Sequence, residues 1–284
     1  MGGSTTSRPA VARRIDSALG VVEEVEFLGA PERLFGCRHL PADGAARDLG
    51  LVICSPVLCD FGANYRREVS LARSLAAAGV PVLRYHPRGC GHSDGARVDL
   101  TLATLVEDAA TALAHAEDRL GVTRLAVLAT RFSALAAAAA LRDRPGVPLA
   151  LWDPVTTPRS YFRAGLRARA VHRLSSAGPA EEPEAELARQ GYLDVLGIPV
   201  GRALYETPAE HTLAASLGEV PRPVLLVQFE DTATLRSEYR AVVDARPDVT
   251  ARLCPCDESW WFIPDRAAPG DEAVAATRDW ILAQ

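Results

Sequence analysis

Apolar and amphipathic segments alternate along the middle of the chain, and this alternation constrains the fold most. Residues 51–54 are a short apolar run that ends at Ser55-Pro56, which is typical of a buried parallel strand. Residues 68–78 repeat apolar side chains at helical spacing and end at Gly79, a common helix C-terminal residue. Residues 80–85 are the next apolar run. The order predicts a β-α-β unit with a right-handed crossover.

The same alternation continues towards the end of the chain. Further strands are predicted at residues 124–129, 149–152, 224–227 and 251–254, and further helices at residues 102–120, 132–142 and 272–283. Alternating strands and helices are typical of an α/β fold, in which helices cover both faces of a mostly parallel, doubly wound sheet.

Residues 156–220 interrupt this rhythm, because they are predicted to be helical and are richer in Arg and Glu. An insertion between two parallel strands at this point is expected to form a helical lid over the carboxyl ends of the sheet. The alternative is a helical excursion packed on the side of the sheet. The predicted organisation is a flexible tail at 1–20, a core at 21–155 and 221–284, and the lid at 156–220.

Charge and cysteine content exclude several partners. The 284 residues carry a net charge of −5, so a basic surface for nucleic acid or an anionic membrane is not expected. The six cysteines are scattered without a zinc pattern, and no hydrophobic leader precedes the first strands. We therefore predict a cytoplasmic protein with reduced thiols and without metal, cofactor, nucleic-acid or membrane partners. A homodimer is left open.

The run from Val82 to Gly95, which reads VLRYHPRGCGHSDG, resembles a strand-4 signature of the α/β-hydrolase superfamily. More narrowly, the chain is similar to the exosortase A system-associated hydrolases, whose relatives also occur in specialised-metabolite gene clusters. The segments that carry this likeness span most of residues 50–262 and are SP at 55–56, NYRR at 64–67, GCG at 89–91, LWDPV at 151–155, GY at 191–192 and ESWW at 258–261. Two signature aspartates appear here as His86 and His92.

The resemblance implies a serine nucleophile on a sharp turn after the strand at 124–129, but Arg131 stands there, between Ala129 and Ser133 in place of two glycines. A guanidinium has no nucleophilic oxygen and stays protonated at neutral pH. Some members of the similar branch carry arginine at this turn, which implies a trait of the lineage. Ser133 is better interpreted as a substitute for glycine than as a relocated nucleophile. No histidine follows the last predicted strand, where the family places its catalytic one.

Arg131 needs an anion, because its charge lies at the positive end of a helix dipole. Asp231, Asp257 or Glu258 would form a structural ion pair, whereas a substrate carboxylate, phosphate or developing oxyanion would make it a binding group. Both interpretations stay open. The candidate catalytic residues are Arg131, His86, His92, Asp60 and Asp231. The candidate substrate-binding residues are Ser55, Val57, Phe132, Trp260, Trp261 and Glu258.

Three functions are compatible with this pattern. The first is an enzyme that acts without a covalent intermediate, by proton transfer, elimination, cyclisation or water-mediated hydrolysis, on an acyl, lactone or polyketide-like small molecule of specialised metabolism. The second is a catalytically silent binding or partner protein. The third is an ester or thioester hydrolase with a relocated nucleophile, for which Ser55, Cys54 and Cys59 are candidates.

Overall fold

A computed structural model describes residues 12–174, 181–230, 232–255 and 271–284. The strands are β1 Ala12–Asp16, β2 Val21–Leu28, β3 Leu34–Pro41, β4 Gly50–Cys54, β5 Val82–Tyr85, β6 Leu125–Thr130, β7 Leu149–Trp152, β8 Tyr192–Val195, β9 Ile198–Gly201, β10 Val224–Phe229 and β11 Val249–Cys254. The helices are α1 Cys59–Ala77, α2 Leu102–Arg119, α3 Ser133–Ala140, α4 Pro158–Leu174, α5 Pro183–Gln190, α6 Arg202–Tyr205, α7 Leu213–Leu217, α8 Ser237–Ala245 and α9 Asp271–Leu282. A short 3-10 turn spans Arg97–Asp99.

One nine-stranded sheet in the order β1-β2-β3-β5-β4-β6-β7-β10-β11 forms the centre of the molecule. The first part of the sheet, β1-β2-β3-β5, pairs antiparallel. The rest of the sheet, β5-β4-β6-β7-β10-β11, pairs parallel. This arrangement confirms the predicted α/β class with a mostly parallel sheet. The carboxyl ends of β4, β6 and β7 are neighbours at one edge.

Both faces of the sheet are covered, which explains the continuous apolar runs of the central strands. Val52 points into a core with α2 and α3, whereas Leu51 and Ile53 point into a second core with α1 and α9. Because successive strand side chains alternate between faces, each apolar run supplies both cores. The predicted helices and strands of the central region are confirmed.

Residues 12–16, inside the segment predicted as a flexible tail at 1–20, form β1. This strand pairs with β2 from Ala12 opposite Val25 to Asp16 opposite Val21, and residues 1–11 lie outside the described part of the chain. The side chains of β1 are mostly exposed, and Arg13 and Arg14 form ion pairs with acids of β2. A strand held by backbone hydrogen bonds and surface charges has no apolar pattern to reveal it.

The segment between β7 and β10 contains α4 to α7 and also the antiparallel hairpin β8–β9, which the sequence did not indicate. A buried ion pair between Arg169 and Glu186 joins α4 to α5. The hairpin packs closely on the 3-10 turn, because a Cβ atom at Gly201 would overlap the backbone of Val98. Tyr161 of α4 reaches the start of α1. A lid role for this segment stays a prediction.

Candidate functional site

Three residues with left-handed backbone conformation lie at the carboxyl ends of three adjacent strands. Leu58, Arg131 and Asp153 follow β4, β6 and β7 and have φ angles of 58°, 54° and 42°. Non-glycine residues seldom adopt this conformation, and such strain concentrates at functional sites. Another residue of this kind, Leu196, lies in the β8–β9 turn. The three strand-end positions therefore mark one candidate site.

The turn at Arg131 keeps its sharp form without the usual glycines. The Arg131 N–H donates to the Trp152 carbonyl at 3.0 Å, and the Arg131 carbonyl accepts from the Val155 N–H at 3.1 Å. Ala129 and Ser133 are small enough to be buried on either side. The Ser133 hydroxyl donates to the Ser55 carbonyl at 2.8 Å, which supports its interpretation as a structural substitute for glycine.

Two carboxylates contact the Arg131 side chain. Nη1 donates to the Asp153 carbonyl at 2.9 Å and to Asp153 Oδ2 at 3.0 Å, and Nε lies 3.4 Å from Asp60 Oδ2. Burial opposes the charge, but Asp60 and Asp153 together raise the pKa of Arg131 above its ordinary value. The predicted partners Asp231, Asp257 and Glu258 lie outside the described residues. The anions observed beside Arg131 are thus Asp60, in the first turn of α1, and Asp153, directly after β7.

Asp60 is fully buried in the first turn of α1. Its Oδ2 accepts a hydrogen bond from the Tyr161 hydroxyl at 2.8 Å, whereas its buried Oδ1 has no hydrogen-bond partner among the described residues. Burial raises the pKa of Asp60 to about 6, although Arg131 and Tyr161 act in the opposite direction. A carboxyl that titrates near neutral pH with one oxygen unused is suited to proton transfer.

Asp153 links the turn at Arg131 to the elements that follow. Its Oδ1 accepts from Arg236 Nη1 at 2.9 Å and from the Tyr239 hydroxyl at 3.2 Å. The Phe229 N–H lies 3.4 Å from the same oxygen. Arg236 also donates to Glu230 at 2.8 Å. The site is therefore a network of alternating charges that is buried at Asp60 and Asp153 and reaches the surface at Arg236 and Glu230.

The candidate histidines lie beside this network and are not hydrogen-bonded to it within the described residues. His86 is buried among Phe35, Phe61 and Tyr65, and its Nδ1 accepts from the His92 N–H at 3.3 Å. Burial and then the neighbouring Arg84 guanidinium lower the pKa of His86 to about 3. His92 is exposed and stacks on His86. Their predicted catalytic role stays a prediction.

The remaining predicted residues divide into two groups. Ser55, Val57 and Phe132 are fully buried. The Ser55 hydroxyl donates to Glu68 at 2.6 Å, and Phe132 packs on Tyr161 and Phe162. Their contact with a substrate stays a prediction. The other group lies outside the described residues and consists of Asp231, Glu258, Trp260 and Trp261.

Sequence reasoning missed Tyr161, Arg236 and Tyr239, which contact the two aspartates from α4, the loop before α8, and α8. No spacing in the sequence relates these residues to Arg131. It also missed Asn64 and Glu68, although Asp60, Asn64 and Glu68 recur every four residues. Polar residues that recur on the otherwise apolar, buried face of a helix are unusual, and this pattern could have indicated the site.

The described ranges are 12–174, 181–230, 232–255 and 271–284. They contain no group of three or more His, Cys, Asp or Glu side chains that could hold a metal ion. No helix within them is long and apolar enough to cross a membrane.

No protein-family model matches the chain, and no curated protein matches it. Several solved structures are similar to this chain. Est1E from Butyrivibrio proteoclasticus with ferulic acid bound is 16% identical, with a TM-score of 0.65 over 91% of this chain and 98% of the other. Proline iminopeptidase from Mycobacterium smegmatis is 20% identical, with a TM-score of 0.59 over 91% and 98%.

A thioesterase domain from the curacin biosynthetic pathway is also similar, at 16% identity and a TM-score of 0.57 over 92% of this chain and 98% of the other. These neighbours match about nine-tenths of this chain and nearly the whole of the other chains. At such low identity the likeness concerns the fold and not the activity. The chain has the α/β-hydrolase fold.

Proposed function

We propose that the protein is an enzyme that transfers protons on an acyl-type small molecule without a covalent enzyme intermediate. The observation that carries this proposal is Asp60, a buried carboxyl with a pKa of about 6 and an unused oxygen beside Arg131. Structural carboxylates that are paired with arginine generally have lowered pKa values. Asp60 is instead maintained in a form that accepts and returns a proton near neutral pH.

The residues around Asp60 have separate roles in water-mediated hydrolysis, which is the form of the reaction that we favour. Asp60 takes a proton from water as the water oxygen attacks the substrate carbonyl. The positive field of Arg131 stabilises the oxyanion, and the leaving group receives the proton back from Asp60 as the carbon–heteroatom bond breaks. Tyr161 orients the carboxyl through its hydrogen bond to Oδ2.

Two likenesses support an acyl, lactone or polyketide-like substrate. Among the structural neighbours, one has ferulic acid bound and another is a thioesterase domain of a biosynthetic pathway. The segments that resemble exosortase A system-associated hydrolases point to the same chemistry, in specialised metabolism. A cytoplasmic location and the lid role of residues 156–220 belong to this proposal.

We expect kcat/KM on a panel of activated esters, thioesters and lactones to rise about tenfold per pH unit up to pH ~6 and then to level off, because Asp60 must be ionised to accept a proton. Asp60→Asn should lower kcat by about 10²-fold or more. Asp94→Asn is the matched control, since Asp94 is an exposed acid paired with Arg33. Equal activity in Asp60→Asn and the wild type would reject the proposal.

A catalytically silent binding protein is the second candidate. The observation in its favour is that Arg131 already contacts Asp60 and Asp153, so its charge is compensated within the protein. Thermal unfolding with the same compounds separates the two candidates. A raised Tm without turnover of any compound favours binding, whereas turnover that depends on Asp60 favours the enzyme.

A relocated nucleophile is disfavoured by burial. Burial raises the pKa of Cys54 and of Cys59 to about 12, and the Ser55 hydroxyl donates to Glu68. We expect no adduct by intact mass after incubation with a fluorophosphonate, in the wild type or in Arg131→Ser. In the variant no histidine follows the last strand to activate the new serine, because the last histidine in the sequence is His211. A fluorophosphonate adduct on the wild type would instead establish covalent chemistry.

A further inference from the structure

A second buried network lies behind the candidate site and joins α1 to the turn at Arg131. Asn64 Nδ2 donates to Glu68 Oε1 at 2.9 Å and to Thr130 Oγ1 at 3.2 Å. The Ser55 hydroxyl donates to Glu68 Oε2 at 2.6 Å. All four side chains are buried, so these hydrogen bonds lie in a low-dielectric interior where they are stronger than in water.

The network encloses the turn from both sides. Thr130 immediately precedes Arg131, and Ser133, two residues after Arg131, donates to the Ser55 carbonyl. The loop after β4 is therefore tied to β6 and α3 at once. This loop contains the strained Leu58 and leads directly into Asp60.

Asp60, Asn64 and Glu68 lie on one face of α1, because residues four apart are neighbours on a helix. Each contacts a different part of the site, since Asp60 contacts Arg131, Asn64 contacts Thr130 and Glu68 contacts Ser55. The contact between Asp60 and Arg131 is a 3.4 Å ion pair without a formal hydrogen bond. A contact of that kind depends on how α1 is placed relative to the turn.

We propose that Asn64, supported by Glu68, is a positioning residue that sets the separation of Asp60 and Arg131. Among the described residues, Glu68 is hydrogen-bonded to Asn64 and Ser55 and to neither Asp60 nor Arg131. The inference deepens the proposed function and rests on it for its catalytic meaning. The geometry that it describes is measurable without a substrate. Precise placement of reacting groups by such supporting hydrogen bonds is a general requirement of active sites.

The test is the titration of Asp60 followed by the ¹³C shift of its side-chain carboxyl, with Asp60→Asn used to assign the signal. In Asn64→Leu the ion pair should lengthen while Asp60 stays buried, so its pKa should rise by about one unit. Asn64→Leu also removes a hydrogen-bond donor from Glu68, which favours the neutral form of Glu68. Removing a negative charge near Asp60 would lower the pKa of Asp60, so a rise in that pKa cannot come from Glu68. Thr130→Val removes the acceptor for Asn64 with little change in shape, and we expect a smaller rise.

Gln190→Leu is the matched control. Gln190 Nε2 donates to Glu186, four residues earlier in α5, just as Asn64 donates to an acid four residues away. Gln190 is not hydrogen-bonded to Asp60 or Arg131 among the described residues. It should leave the titration of Asp60 unchanged. If Asn64→Leu does not fold, Thr130→Val alone decides the question. A wild-type titration in the folded variants would overturn the positioning role. A shifted titration in a protein without turnover would retain it and reject the proposed function.

Discussion

Arg131→Met is expected to lower the free energy of unfolding by about 3–5 kcal/mol at neutral pH, the usual cost of removing one partner from a buried ion pair. Among the described residues, Asp60 then keeps the hydrogen bond from Tyr161, and Asp153 keeps the one from Arg236. Methionine preserves most of the volume, so the loss reports the charge and not a cavity. Urea unfolding followed by circular dichroism measures it.

The loss should become smaller as the pH falls through about 6, because a protonated Asp60 no longer needs a cation. The part of the stability loss that comes from the ion pair of Arg131 with Asp153 should persist at the lower pH. Arg202→Met is the control, since Arg202 forms an exposed ion pair with Glu206 and its removal should cost less than about 1 kcal/mol. If Arg131→Met were as stable as Arg202→Met, the two aspartates would not depend on Arg131.

Asp60→Asn is expected to stabilise the protein by about 2–3 kcal/mol above pH 6 while it removes activity. Burial raises the pKa of Asp60 from 3.8 to about 6, so the folded state holds its proton more tightly than the unfolded state does. The favourable contribution of this group is complete below pH 3.8 and is lost as the pH rises through about 6. At neutral pH the folded protein therefore carries an ionised carboxyl at a cost that asparagine does not have.

The stability difference between Asp60→Asn and the wild type should accordingly grow between pH 4 and pH 7, in unfolding curves recorded at ~1 unit intervals. Asp94→Asn should show no such gain, because the hydrogen bonds from Arg33 lower the pKa of Asp94. A gain of stability together with a loss of activity is typical of a residue kept for function. A destabilised Asp60→Asn would mean that its ion pair with Arg131 outweighs the cost of burial.

Much of the fold was predictable, since the strands at the centre of the sheet are buried on both faces and are apolar throughout. The edge strand β1 was not, because its side chains are exposed and charged. Asp60 was predicted as a candidate because it follows a strand, and parallel strands bring such ends together. Tyr161 and Arg236 were not predicted as site residues. Each lies on a helix or loop whose path over the sheet cannot be inferred from local sequence patterns.

The sequence by itself determined that residue 131 has no nucleophilic oxygen and that no histidine follows the last strand. Both are properties of residue identity, and they predict that this turn does not carry a Ser-His-acid mechanism. Only the tertiary structure decided which anions meet Arg131 and that burial raises the pKa of Asp60. Charge pairing and desolvation depend on the distances between segments remote in the chain, and these distances exist only once the sheet has formed.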